Sequence, residues 1–219
     1  MVNKFLFLFG IILFLGTLKN HAQGGDLLIQ QYSRGPSLDA SFSKWSVEAG
    51  PQINRINSDL GNTSPTISFG GIIQLEYRFN KTVGLIFGIN YTPVAYKYSL
   101  TESKSEDHLN YLSFPIFLRV HPTKKIHLSL GGNYNYYLNG YQKIRFSDFE
   151  KRTSYSKEIF KNSFGITIQG GYCFYKKFIV YTNYRWTKRN SPAIQKQSNN
   201  TSGIQLGITY MLWDSRKKL

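Results

Sequence analysis

From Lys44 onward, apolar and polar residues alternate with period two, and the alternating runs are joined by connections that are short and long in turn. A period of two puts successive side chains on opposite faces of a strand. Eight runs can be read, at about 44–57, 66–79, 82–98, 108–121, 125–140, 163–175, 177–188 and 203–213. Asn80-Lys81, Pro122-Thr123-Lys124 and Lys176 make the short connections, and 58–65, 99–107, 141–162 and 189–202 make the long ones. In an up-and-down barrel this order sends every tight turn to one end and every long loop to the other, the asymmetry of barrels that span an outer membrane. The pattern predicts an all-β chain, an eight-stranded antiparallel up-and-down transmembrane β-barrel over 44–213.

A soluble barrel, apolar inside, would give the same alternation. Residue size separates the two. The polar face is rich in small residues: Ser46, Gly50, Ser68, Gly70, Gly84, Gly88, Ser129, Gly131, Gly165, Gly171 and Gly207. An eight-stranded lumen has room only for side chains, and small residues suit it. Five charged residues share that face, Glu48, Glu76, Arg78, Arg119 and Arg185, and ionised groups in a narrow lumen need partners. They are expected to pair as an internal charge network that plugs the barrel. Aromatics make up 16% of the chain and charged residues 18%, which excludes disorder and a helical bundle.

The aromatic residues of the apolar face divide by position along the strands. Trp45, Tyr77, Phe79, Tyr172, Phe174, Phe178 and Tyr210 lie toward the tight turns, and Tyr91, Tyr134, Tyr136, Tyr184 and Trp186 toward the long loops. Two aromatic belts around an aliphatic band are what a membrane-spanning barrel requires.

Lys4 precedes an apolar run from Phe5 to Gly16, which gives way to His21-Ala22-Gln23. This is the form of a secretory signal peptide, and a run of 12 residues is short for a spanning helix. The domain reading is a signal peptide over 1–23, a pre-barrel arm over 24–43, the barrel over 44–213 and a basic tail over 214–219. Removal of 1–23, which holds Lys4 and Lys19 and no acid, lowers the formal charge from +15 to +13.

Trp45-Ser46-Val47-Glu48-Ala49-Gly50-Pro51, Tyr111-Leu112-Ser113-Phe114-Pro115-Ile116 and Leu128-Ser129-Leu130-Gly131-Gly132 resemble segments of the PorT-like outer-membrane β-barrel domain family. Gly203-Ile204-Gln205-Leu206-Gly207-Ile208-Thr209-Tyr210 is similar to that family's closing strand. The resemblance covers roughly 44–213. It implies an outer-membrane location and, for some members, a place in a protein-secretion and gliding apparatus. The chain departs from the usual terminal aromatic residue of such barrels, because Asp214 to Leu219 follow Trp213.

No cofactor and no catalytic residue is expected. His121 and His127 flank a tight turn, and with no acid near them in sequence they lack a third metal ligand, so a capping or surface role is expected. A rim hydrolase built on His108 and Ser113, with Glu106 or Asp107 as orienting group, is the enzymatic alternative. The basic groups gather at Lys81, Lys124, Lys125, Lys176, Lys177 and the tail, and in loop 141–162, which has six basic and three acidic residues. Outer-membrane lipid and lipopolysaccharide are the expected partners, with envelope or secretion proteins met through loop 141–162. Nucleic acid is a poor partner for an exported chain. The reading is a structural or interaction protein, with a narrow channel as the alternative.

Overall fold

The computed structural model describes residues 43–59, 62–99, 104–145, 149–156, 159–188 and 200–215, within a unit spanning Phe42–Leu219. The expected signal peptide, the arm up to residue 42 and the tail from residue 216 lie outside the described residues. Nine strands follow in order: β1 (Trp45–Ser58), β2 (Thr63–Arg78), β3 (Val83–Ser99), β4 (Lys104–Val120), β5 (Ile126–Arg145), β6 (Glu150–Ser154), β7 (Ser163–Tyr175), β8 (Phe178–Lys188) and β9 (Thr201–Asp214). Each barrel strand pairs antiparallel with its neighbours, and β1 closes on β9 from Ser46↔Asp214 to Ser58↔Thr201. Eight strands make the closed barrel, and β6 adds to the outer end of β5.

The lumen and the coat are the inverse of a soluble protein. Phe69 is 72% exposed and Phe164 71%, whereas Arg119 and Glu76 are each 2% exposed. Fully burying one such apolar side chain is worth about 1.5–3 kcal/mol, so a continuous apolar coat is stable only against acyl chains.

The tight turns use local chemistry. Asn80 Oδ1 accepts from the N–H groups of Thr82 and Val83, both at 2.8 Å. Thr123 Oγ1 accepts from those of Lys125 and Ile126 at 3.2 and 3.0 Å. Lys176 and Lys177 form a two-residue turn with Lys176 at a φ of 26°.

At the opposite end the expected boundaries need correction. Only residues 59–62 separate β1 from β2, and 100–103 separate β3 from β4. The segment 141–162 is likewise not one loop, since β5 runs on to Arg145 and β6 pairs back from Tyr141↔Ser154 to Arg145↔Glu150. The cause is the end of the lipid. Beyond the bilayer a strand keeps its hydrogen-bond ladder while neither face need be apolar, so the period-two signal stops before the strand does. Among the described residues, the first three long connections are in large part protruding sheet.

Candidate functional site

The lumen is filled in layers. In the tight-turn half, Arg119 projects from β4 across the barrel. Its Nη1 donates to Glu48 Oε1 at 2.9 Å and Glu76 Oε2 at 3.2 Å. Its Nη2 donates to Gln74 and Gln169 Oε1, both at 3.3 Å, and its Nε to Ser129 Oγ at 3.2 Å. All five guanidinium donors are used, on β1, β2, β5 and β7. Glu76 also takes Arg78 Nε at 2.9 Å and His121 Nε2 at 2.5 Å on its Oε1, and Glu48 Oε2 accepts from Thr209 Oγ1 at 2.8 Å. Four of the five predicted lumen charges thus meet.

Arg185 stands apart from them. Its Nη2 donates to Asn135 Oδ1 and to Ser113 Oγ, the latter at 3.1 Å, and its Nε donates to Thr187 Oγ1 at 3.1 Å. Amides span the barrel in this middle region: Gln205 Nε2 donates to Asn54 Oδ1 at 2.8 Å, and Tyr181 Oη to Gln52 Oε1 at 3.2 Å. Glycine is required opposite two rings that turn into the lumen. A Cβ on Gly171 would strike the His127 ring, and one on Gly207 the ring of Tyr181.

The outer half is apolar. Ile56, Val94, Tyr96, Leu109, Tyr111, Tyr137 and Phe160 form one buried cluster, with Tyr98 and Tyr155 packed on it. Phe160 comes from the segment after β6 and packs 5.5 Å from Tyr137, tilted, and 4.9 Å from Tyr155, edge to face. That segment is fastened by Tyr155 N–H to the Gly140 carbonyl at 2.9 Å, and by Asn162 Oδ1, which accepts from Tyr137 N–H at 3.0 Å. Tyr155 Oη donates to the buried Asp107 carboxylate at 2.6 Å. Burial, and then this hydrogen bond, push the Tyr155 phenol well above its ordinary range. Sequence reasoning missed this cap. Its faint signal is the inward phase of Val94, Tyr96, Leu109 and Tyr111, which continues the lumen face with apolar residues.

Outside the lumen, Lys143 Nζ meets Glu150 Oε1 at 2.9 Å and Arg145 Nη2 meets Glu150 Oε2 at 3.6 Å across the β5–β6 hairpin. The hydrogen bond from Lys143 holds the Glu150 carboxyl below its usual range. Arg152 lies 3.5 Å over the Tyr141 ring, and His108 stacks on the same ring at 4.7 Å. All five residues of β6 are exposed, and among the described residues β6 pairs with β5 alone.

Two expectations about histidine change. His108 faces outward beside Tyr141, whereas Ser113 is 1% exposed in the lumen, so the two lie on opposite faces of β4. Their separation by an odd number of residues dictates this. His121 is no surface cap, because Glu76, distant in sequence, meets it inside the barrel mouth. His127 lies with its ring 6.0 Å from that of His121, and among the described residues no group of three or more His, Cys, Asp or Glu is arranged to hold a metal.

All twelve predicted belt residues sit on the outer surface. Trp45 packs on Tyr77 at 4.5 Å and Phe178 on Tyr210 at 4.9 Å toward the tight turns. Toward the other end, Tyr134 packs on Phe164 at 5.0 Å, and Tyr91, Tyr136, Tyr184 and Trp186 are exposed. Tyr175 and Trp213 extend the tight-turn group.

The model of the outer membrane protein beta-barrel domain family matches residues 30–187, more than half of the chain. No curated protein matches it. Among solved structures, Ail, the attachment invasion locus protein of Yersinia pestis, is 15% identical, with 77% of this chain and 98% of that one covered and a TM-score of 0.45. Neisserial surface protein A (NspA) is 15% identical, with 77% and 97% covered and a TM-score of 0.43. OprG from Pseudomonas aeruginosa is 13% identical, with 77% and 95% covered and a TM-score of 0.42. The family match, laid on a closed barrel with a polar lumen and an apolar coat, places the chain in the outer membrane; it belongs to the outer membrane protein beta-barrel domain family.

Proposed function

We propose that this protein is an anchored interaction module, whose filled barrel holds the β5–β6 hairpin outside the cell as its contact element. The single observation that carries the reading is the edge of β6, which among the described residues pairs with β5 alone. An edge strand presents unpaired N–H and C=O groups to an incoming extended segment, and alternate side chains select that segment. Here the selecting chemistry is basic, since Arg152, Lys143 and Arg145 share one face of the hairpin against Glu150 alone and Lys151 adds a cation on the other, so an acidic extended stretch of an envelope or secretion protein is the fitting partner. The PorT-like resemblance makes a secretion apparatus the setting in which to seek it. A role without chemistry of its own agrees with His108 and Ser113 lying on opposite faces of β4.

The test is photo-crosslinking in cells from positions 151 and 153, with a probe at Trp186 as lipid-facing control. A discrete protein adduct is expected from the hairpin and not from the control, and it should vanish when 143–154 is replaced by a short Gly/Ser turn. Its absence, with the barrel folded, sinks the proposal. The narrow-channel alternative is read separately, since steady conductance of the unmodified barrel in planar bilayers would favour it over a plugged scaffold.

A further inference from the structure

The periplasmic rim carries a feature that neither the lumen nor the hairpin uses. Lys176 Nζ lies 5.7 Å from the centre of the Tyr175 ring, and Lys177 Nζ lies 5.8 Å from that of Tyr210. These rings continue into a joined aromatic surface. Phe178 packs on Tyr210 at 4.9 Å, on Phe174 at 6.1 Å and on Tyr175 at 6.5 Å. Phe174, Tyr175, Phe178 and Tyr210 are between 38% and 57% exposed on the outside of the barrel. The ammonium groups of two consecutive lysines therefore lie near an outward-facing aromatic floor, at the level where the apolar coat ends. Lys176 holds a backbone position that favours glycine, with φ at 26°, yet carries a long cationic side chain there.

We infer that the β7–β8 turn and the neighbouring part of β9 form a binding site for an anionic glycerophospholipid of the periplasmic leaflet. Lys176 and Lys177 meet its phosphate, and the rings of Phe174, Phe178 and Tyr210 pack on its glycerol and upper acyl chain. Charge complementarity selects the headgroup, since aromatic rings accept any lipid while paired ammonium groups favour net negative charge. The position selects lipid over a soluble acidic partner, because the cations lie along the lipid-facing side of the barrel. Two of the acids nearby are turned away from the pair: Glu48 and Glu76 face the lumen, where Arg119, Arg78 and His121 take them up, and Asp214 at the end of β9 is a single acid against the lysines of the tight turns. The β4–β5 turn supplies an internal comparison. Lys124 and Lys125 carry the same charge, but among the described residues the periplasmic cation–ring contacts belong to Lys176 and Lys177.

The experiment is native mass spectrometry of the refolded barrel, released from nanodiscs of phosphatidylcholine and phosphatidylglycerol in equal parts. The wild type should retain phosphatidylglycerol selectively. K176Q/K177Q should lower that selectivity by at least about fivefold, from the usual effect of one lysine at an anionic surface. K124Q/K125Q should lower it much less, and Y210L should weaken the retention of both lipids with both lysines kept. Heat-modifiable gel mobility shows that each variant is folded, and K177Q alone serves if the double variant is not. Equal retention of the two lipids by the wild type overturns the inference. So does an equal loss from K124Q/K125Q, which would mean diffuse rim charge, or an unchanged Y210L. Tight binding of polyglutamate without lipid selectivity would assign the turn to an acidic partner instead.

Discussion

At the tight-turn end of the lumen, Arg119 commits five N–H donors to two carboxylates, two amides and a hydroxyl. At the outer end the same cavity is closed by Tyr111, Tyr137 and Phe160, through ring packing and chain fastening. The contrast separates two kinds of plug. The charged plug is built from barrel strands, with His121 of the β4–β5 turn added, and its buried ions tolerate no missing partner. The aromatic plug borrows Phe160 from a segment outside the barrel wall, so its integrity depends on how the β5–β6 hairpin and its exit are held. A partner on the hairpin would act first on the aromatic plug.

The largest effect is expected where a charge is orphaned. Arg119→Met leaves Glu48 and Glu76 buried beside fewer cations, and should cost about 3–5 kcal/mol in the urea unfolding of the refolded barrel. Glu48→Gln and Glu76→Gln in the same background should restore most of that loss, because apolar or neutral replacement of a whole buried ion cluster is close to neutral. If the triple variant is no more stable than Arg119→Met, the charged plug is held by shape rather than by charge balance.

Next comes the aromatic plug. Phe160 is 7% exposed, and Phe160→Ala should cost about 3 kcal/mol, the lower end for a buried Phe truncation, since one side of its pocket is a chain segment that can settle. The site of the damage discriminates more sharply than its size. Amide hydrogen exchange should accelerate around Ile56, Val94–Tyr96 and Leu109–Tyr111 and stay unchanged around Ser129 and Gln169. Uniform acceleration would mean that the two plugs form one cooperative unit.

These halves were unequally readable from the residues. Glu48, Glu76, Arg78 and Arg119 could be placed on one face because period two is rigid and charges are conspicuous against Gly and Ser. Their mutual contacts could be expected from desolvation alone. Arg185 lies on the same face, yet it meets Asn135 and Ser113, because height along the barrel depends on shear, which no local pattern records. The pairing of His121 with Glu76 was hidden for the same reason. The aromatic cap was invisible because Tyr and Leu on the lumen phase look like an interruption of a polar face, and because β5 continues past the lipid, where its alternation no longer has to be apolar.

Arg185 measures the middle ground. Arg185→Met removes donors to Asn135, Ser113 and Thr187, and should cost about 1–3 kcal/mol, the range for leaving buried acceptors without their donors. A loss as large as that of Arg119→Met would erase the distinction between a charge-balanced layer and a hydrogen-bonded one.

The smallest effect concerns the fastening of the aromatic plug and shows itself with pH. Tyr155 donates to Asp107 at 2.6 Å, and burial followed by that hydrogen bond raises its phenol above the ordinary value. In the folded protein the phenol therefore stays protonated at a pH where the unfolded chain has begun to lose the proton. Between the two pKa values the folded state binds more protons, so stability falls as pH rises. The contribution of Tyr155 is complete below about pH 10, the ordinary tyrosine value, and is lost progressively above it. Tyr155→Phe should flatten the alkaline slope of the unfolding midpoint, at a cost of about 1–2 kcal/mol at neutral pH for the donor lost to Asp107. The Arg119 layer at the tight-turn end should show no such change, since among the described residues its members do not touch Tyr155. An alkaline slope that survives in Tyr155→Phe would place the titration on another phenol and leave the fastening to Asn162 and the Gly140 carbonyl.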